Sequence, residues 1–110
     1  MPRVSLRHAE TLISEAKPVV SHTGSLLGDT SFDDNGWEYT VWSYGVPIGS
    51  IRRQAVRNPD GSYAKDDQGN VAITEELWIT DKKYSVTTSR HTSLARRALT
   101  LQLKRGQHNG

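Results

Sequence analysis

WEYTVWSYGVPIGSIRRQAV, residues 37–56, is the stretch whose reading decides the fold. Its first eight residues are dense in aromatic and β-branched side chains, which suit a pleated backbone. Strand alternation puts Trp37, Tyr39, Val41 and Ser43 on one face and Glu38, Thr40, Trp42 and Tyr44 on the other. Large side chains on both faces predict a central strand. Gly45 allows a tight turn, after which residues 46–56 return antiparallel. Pro47 has no ladder donor and Gly49 no side chain, so the returning strand is expected to start at an edge or to hold a bulge.

Downstream, residues 57–70 contain two turn signals, Asn58-Pro59-Asp60-Gly61 and Asp66-Asp67-Gln68-Gly69, around Tyr63. They predict a protruding hairpin or long loop. VAITEELWIT, 71–80, reads as a third strand with Val71, Ile73, Leu77 and Ile79 on one face and Trp78 on the other. Glu75-Glu76-Leu77 would suit a helix, but the flanking Ile, Thr and Trp favour strand. Residues 84–87 would add a short fourth strand. A helix is expected from Thr88 or Ser89, both good N-caps. At 100° per residue His91, Leu94, Ala95, Ala98 and Leu101 share one arc, and Arg90, Arg97 and Lys104 stack at heptad spacing beside it.

Upstream, apolar residues at Val4, Leu6, Ala9, Leu12, Ile13 and Ala16 partly follow helical spacing. They predict a helix from Ser5 as N-cap to Lys17, with Pro18 ending it. Residues 19–36 read as an ordered loop or short edge strand, closed by the turn cluster before Gly36. The expected fold is therefore α+β: an antiparallel sheet of three to four strands, packed by a C-terminal amphipathic helix and a shorter N-terminal one. The organisation is one domain, with residues 1–36 as helix and ordered loop, 37–105 as sheet and helix, and 106–110 as a disordered tail.

The 110 residues can bury one modest core. There is no cysteine, which excludes disulfides, thiolate metal sites and cysteine nucleophiles. No apolar run reaches membrane-spanning length and no secretory apolar block opens the chain, so a soluble intracellular protein with no membrane partner is expected. The net charge of +2 hides an asymmetry: residues 1–81 hold seven Lys/Arg against twelve Asp/Glu, whereas residues 82–110 hold seven Lys/Arg and no acid. Such a dipole steers encounters with polyanions or acidic surfaces and draws copies together head to tail, so a homo-oligomer is one expected assembly.

Two segments resemble a known group. Trp42-Ser43-Tyr44-Gly45-Val46-Pro47-Ile48 and Tyr84-Ser85-Val86-Thr87-Thr88-Ser89-Arg90-His91, with a Trp78 strand between, resemble small proteins of unknown function encoded mainly by bacteriophages of actinobacteria. That group is typified by a "YSYGTPIA" hairpin and a closing "KYSxTTSRHQ" strand and helix start. The resemblance covers roughly residues 37–103 and departs in the first 36 residues and in 57–70. It implies a phage gene expressed in the cytoplasm of an infected bacterial host, and it implies no activity.

Thr87, Thr88, Ser89 and His91 combine hydroxyls with a base, as a nucleophile pair would. A strand end and helix cap need the same residues, and that structural role outweighs catalysis. His8, His22, His91 and His108 lack metal-ligand spacing, no calcium or phosphate-loop pattern occurs, and no cofactor is implied. The candidate binding residues are the cations Arg90, Arg96, Arg97 and Lys104, joined by Arg52 and Arg53 if the fold brings them to one surface. Trp42 and Tyr44 would form a protein-binding patch if the sheet has an open face, and otherwise would be core. The expected function is non-enzymatic: binding and modulating a host or phage protein, with nucleic-acid binding by the basic helix as the alternative.

Overall fold

The structure is a computed structural model that describes residues 3–33, 36–82 and 86–108. In chain order its elements are α1 (Leu6–Ser14), β1 (Val19–Val20), β2 (Leu26–Asp33), β3 (Gly36–Ser43), β4 (Val46–Ala55), β5 (Ile73–Ile79) and α2 (Val86–His108). The five strands form one antiparallel meander in the order β1-β2-β3-β4-β5, with β3 at the centre. The α+β class, the central strand and both helices are as the sequence predicts. The strand number is five rather than three to four, because the segment read as an ordered loop or short edge strand supplies two strands, the short edge strand at 19–20 and a full one at 26–33.

The pivotal hairpin closes through Tyr44 and Gly45, whose φ values of 51° and 78° have the sign pattern of a type I′ turn. Its register slips between Val41↔Gly49 and Trp42↔Pro47, leaving Ile48 as an extra residue on β4. This is the bulge that Pro47 and Gly49 led one to expect, and it lets Ile48 reach the core.

Both helices lie on one face of the sheet. Ser5 caps α1, its hydroxyl accepting the amide of His8 at 3.2 Å. The helix stops earlier than Lys17. Ala16 adopts φ 59°, and the amides of Ala16 and Lys17 return to the carbonyls of Ile13 and Leu12 in a Schellman closure ahead of Pro18. In α2 the helix already includes Val86 and Thr87, which corrects the expected start at Thr88 or Ser89, and it continues through 106–108 of the expected tail, whose residues 109 and 110 lie outside the described residues. Residues 84 and 85, the rest of the expected fourth strand, lie outside the described residues.

The core joins Ala9 and Ile13 of α1, Leu94, Ala95, Ala98 and Leu99 of α2, and the sheet face carrying Val19, Leu26, Tyr39, Val41 and Ile51. Leu101, expected in the buried arc, is exposed, and Leu99 and Gln102 are buried instead. The reason is α1. It packs along the flank of α2, so the buried arc is set by two surfaces rather than by the sheet alone. Gln102 spans this junction, donating Nε2–H to the carbonyl of Ile13 at 2.7 Å.

Tyr39 is fully buried and donates its hydroxyl to the carbonyl of Lys17 at 2.7 Å, tying the central strand to the exit of α1. Burial holds that phenol in its neutral form, with its pKa raised well above the ordinary value. The tie depends on Gly28 across the strand pair: a Cβ there would run into the Tyr39 hydroxyl and come within 2.9 Å of Val19 Cγ1. Gly28→Ala is therefore expected to destabilise the fold by about 1–3 kcal/mol through overpacking. Urea unfolding beside the parent chain checks this, and an unchanged midpoint would refute it.

Candidate partner-binding surfaces

The two segments quoted for the resemblance meet in space. Ser43, the last residue of β3, shares a hydrogen bond of 2.7 Å with Nδ1 of His91 on α2, and the Tyr44 ring stacks on the His91 imidazole at 5.9 Å between centroids. The amide of Tyr44 donates to the carbonyl of Ser25 at 2.7 Å, fastening the turn to the start of β2 as well. Ser43 and His91 are both buried, which withholds the hydroxyl from any substrate in solvent. Chemically, the pair is a polar bolt between sheet and helix.

The cations of α2 divide between two flanks. Arg90 and Arg97 line a groove of about 640 Å³ between the helices, together with Arg7, Glu10, Ser89 and Ser93. Within it Arg97 Nε donates to Glu10 Oε1 at 2.6 Å, so one member of the expected line is committed to an ion pair. Arg96 faces the other way, into a recess it shares with Thr80, Asp81 and Lys82. Lys104 is exposed, and Arg105 donates to the Ser14 hydroxyl at 3.2 Å.

Arg52 and Arg53 do not join this helix surface. By register Arg52 lies on the sheet face opposite the helices, where it pairs with Asp33 at 2.8 Å and Glu38 at 3.7 Å. Arg53 lies on the helix-bearing face but is held by Glu75 at 2.9 Å, with its guanidinium 4.7 Å from the Trp37 ring centroid. Glu75 thus pairs with β4 and not with the basic helix.

The aromatic candidates are outside the core. Tyr44 is 61% exposed at its turn, and Trp42 is half-buried on the face opposite the helices. Register brings Leu27 opposite Trp42 and puts Trp78, 47% exposed, on the same side from β5. Val20, Leu27 and Trp42 also line a recess of about 380 Å³ at the β1 end. Sequence reading proposed Trp42 for this surface but passed over Trp78 as a binding residue. Its opposite sense to Ile73, Leu77 and Ile79 was the available signal. A second apolar area lies where the helices stop covering their own face. There Phe32 is 79% exposed and Ile73 is 62% exposed, and Trp37, Ala55, Val71 and Ile73 border a recess of about 380 Å³.

Among the described residues no cluster of three or more His, Asp or Glu side chains could hold a metal ion, and no helix is long and apolar enough to cross a membrane.

Burial of His91 lowers its pKa below the ordinary value of about 6.5, because the charged imidazolium loses hydration there. The unfolded chain therefore binds the proton at higher pH than the folded chain. The stabilisation is complete above about pH 6.5 and is lost as the pH falls through the lower folded-state value. Urea midpoints measured from neutral to mildly acidic pH should fall, and His91→Gln should flatten that fall. An equal slope in the variant would remove His91 as its source.

Comparison with protein-family models, with curated proteins and with solved structures gave no match to this chain.

Proposed function

We propose that this chain is a non-enzymatic accessory protein that binds and modulates another protein through the uncovered face of its sheet. The observation that carries the reading is the one-sided layering: both helices sit on one face, while Leu27, Trp42 and Trp78 stand on the other, where no layer of the described residues covers them. Aromatic side chains are enriched at the centres of protein interfaces, where a charged and hydroxylated rim accompanies them. Here that rim is Thr40, Ser50, Glu38, Arg52 and Glu76 on the same face. The resemblance to actinobacteriophage proteins supplies the setting alone, an infected bacterial cell, in which host and phage proteins are the partners within reach.

Affinity capture from lysate of infected cells tests this, comparing the parent chain with Trp78→Asp. A specific protein should be retained by the parent and bind the variant about tenfold or more weakly, since truncating an interface anchor costs that much. Equal recovery of the same proteins by both chains would dispose of the proposal.

The inter-helix groove favours a second reading. Arg7, Arg90 and Arg97 with the hydroxyls of Ser89 and Ser93 suit phosphate oxygens, so nucleic acid is the alternative partner. Binding of a generic duplex and a single strand should then fall steeply with salt, and Arg7→Glu with Arg90→Glu, both in the groove, should abolish it. Arg97 is left in place in this test because its loss would also break the Glu10 pair. No binding at low salt would rule this reading out.

A further inference from the structure

β5 ends the sheet, and among the described residues no strand pairs with its outer edge. The opposite edge differs: β1 has only two residues and touches α1. An edge of seven residues without such cover is a template for another strand.

Two bonds at the ends of the β4–β5 ladder fix which backbone groups face outward. Val56 N–H donates to the Ala72 carbonyl and Thr80 N–H to the Ile48 carbonyl, both at 2.9 Å. Bonded and non-bonded pairs alternate along an antiparallel ladder, so Thr74, Glu76 and Trp78 bond to β4. The amides and carbonyls of Ile73, Glu75, Leu77 and Ile79 then point to the free edge.

We propose that a second copy of this chain occupies that edge, the two β5 strands pairing antiparallel about a two-fold axis at Glu76 to make one continuous ten-stranded sheet. Three features select a second copy. The first is self-complementarity: in this register Ile73 meets the other copy's Ile79, Glu75 meets Leu77 and Thr74 meets Trp78, so the full length of both strands pairs and each exposed apolar residue gains a neighbour. The second is shape. Helix cover lies over the Ile79 end of β5, while the Ile73 end of the same face is bare, so antiparallel pairing sets the covered half of each copy beside the bare half of the other. The third is charge. The Asp66-Asp67 turn beyond Ile73 in one copy is brought towards Lys82 and Arg96 of the other, with Asp81 beside them, and so matches the acidic body to the basic end of the chain. Glu76 facing its own copy at the axis opposes the pairing; its cross-strand neighbour Arg52, which pairs with Asp33 and Glu38, brings positive charge to the same face.

The test measures mass by sedimentation equilibrium on the full chain at high micromolar concentration. Twice the chain mass of 12.3 kDa is expected. Glu75→Pro removes an amide that the monomer leaves unused, so it should give a monomer with an unchanged circular dichroism spectrum, whereas Glu75→Gln, which also loses the Arg53 pair, should stay dimeric. Because the chain has no cysteine, the register is tested separately by single substitutions. At a non-bonded pair the Cα atoms lie about 4.5 Å apart, within disulfide reach. Mild oxidation should therefore cross-link Glu76→Cys into a dimer and leave Thr74→Cys monomeric on a denaturing gel. A monomeric parent chain, a dimer that survives Glu75→Pro, or equal cross-linking at both positions would overturn the proposal.

Discussion

The hydrogen bond between Ser43 and His91 sets the geometry on which the rest of this molecule depends. It joins the last residue of the central strand to the second turn of the long helix, both ends buried. An imidazole and a hydroxyl left unpaired at that depth would each cost on the order of 1–3 kcal/mol, so the helix has little freedom to rotate or slide. With His91 pinned, Leu94, Ala95, Ala98 and Leu99 necessarily face the sheet and α1, and Arg90, Arg96 and Arg97 necessarily lie along the flanks. Gly49 completes the constraint. A Cβ there would come within 2.9 Å of Leu99 Cδ1, so the close approach of helix and sheet requires its bare backbone.

The uncovered sheet face follows from this arrangement. A helix pinned at β3 and a nine-residue helix packed on its flank make a single layer, and no further helix is available among the described residues to cover the other side. Antiparallel sheets tolerate one solvated face when that face is polar. Here Asp33, Glu38 and Arg52 meet that condition at one end, whereas Leu27, Trp42 and Trp78 do not. The departure from polarity is local, confined to single residues of β2, β3 and β5, which supports reading it as a surface for association.

What the sequence disclosed depended on whether a feature arose from local chemistry or from pairing. The β3–β4 hairpin, its turn at Gly45 and its bulge were legible because alternation, a glycine at positive φ and a proline each act within a few residues. β2 was not. LLGDTSFD has the glycine and aspartates of a loop, and it is a strand because all eight residues pair with β3. The exposure of Leu101 was equally hidden, since helical spacing fixes which residues share an arc but not how many surfaces press on it. Among the binding candidates, the exposure of Arg96 and the openness around Trp42 depend on layer order, which only the three-dimensional arrangement provides.

The charge asymmetry takes on a more specific meaning in three dimensions. The acidic body does not simply neutralise the basic helix: Glu75 holds Arg53, Asp33 and Glu38 hold Arg52, and among the described acids it is Glu10 that reaches across to α2, at Arg97. Exposed ion pairs of this kind add little stability, typically 0–1 kcal/mol, so their main effect is to determine which cations stay open to a partner. Arg90 and Lys104 on one flank and Arg96 with Lys82 on the other carry no ion pair with a described residue in this structure, and the second group sits beside the free β5 edge. A partner approaching that edge therefore meets apolar side chains at the strand and positive charge where the strand gives way to the helix. That combination selects for an extended segment whose own flank is acidic, which is the character of the opposite end of β5 itself.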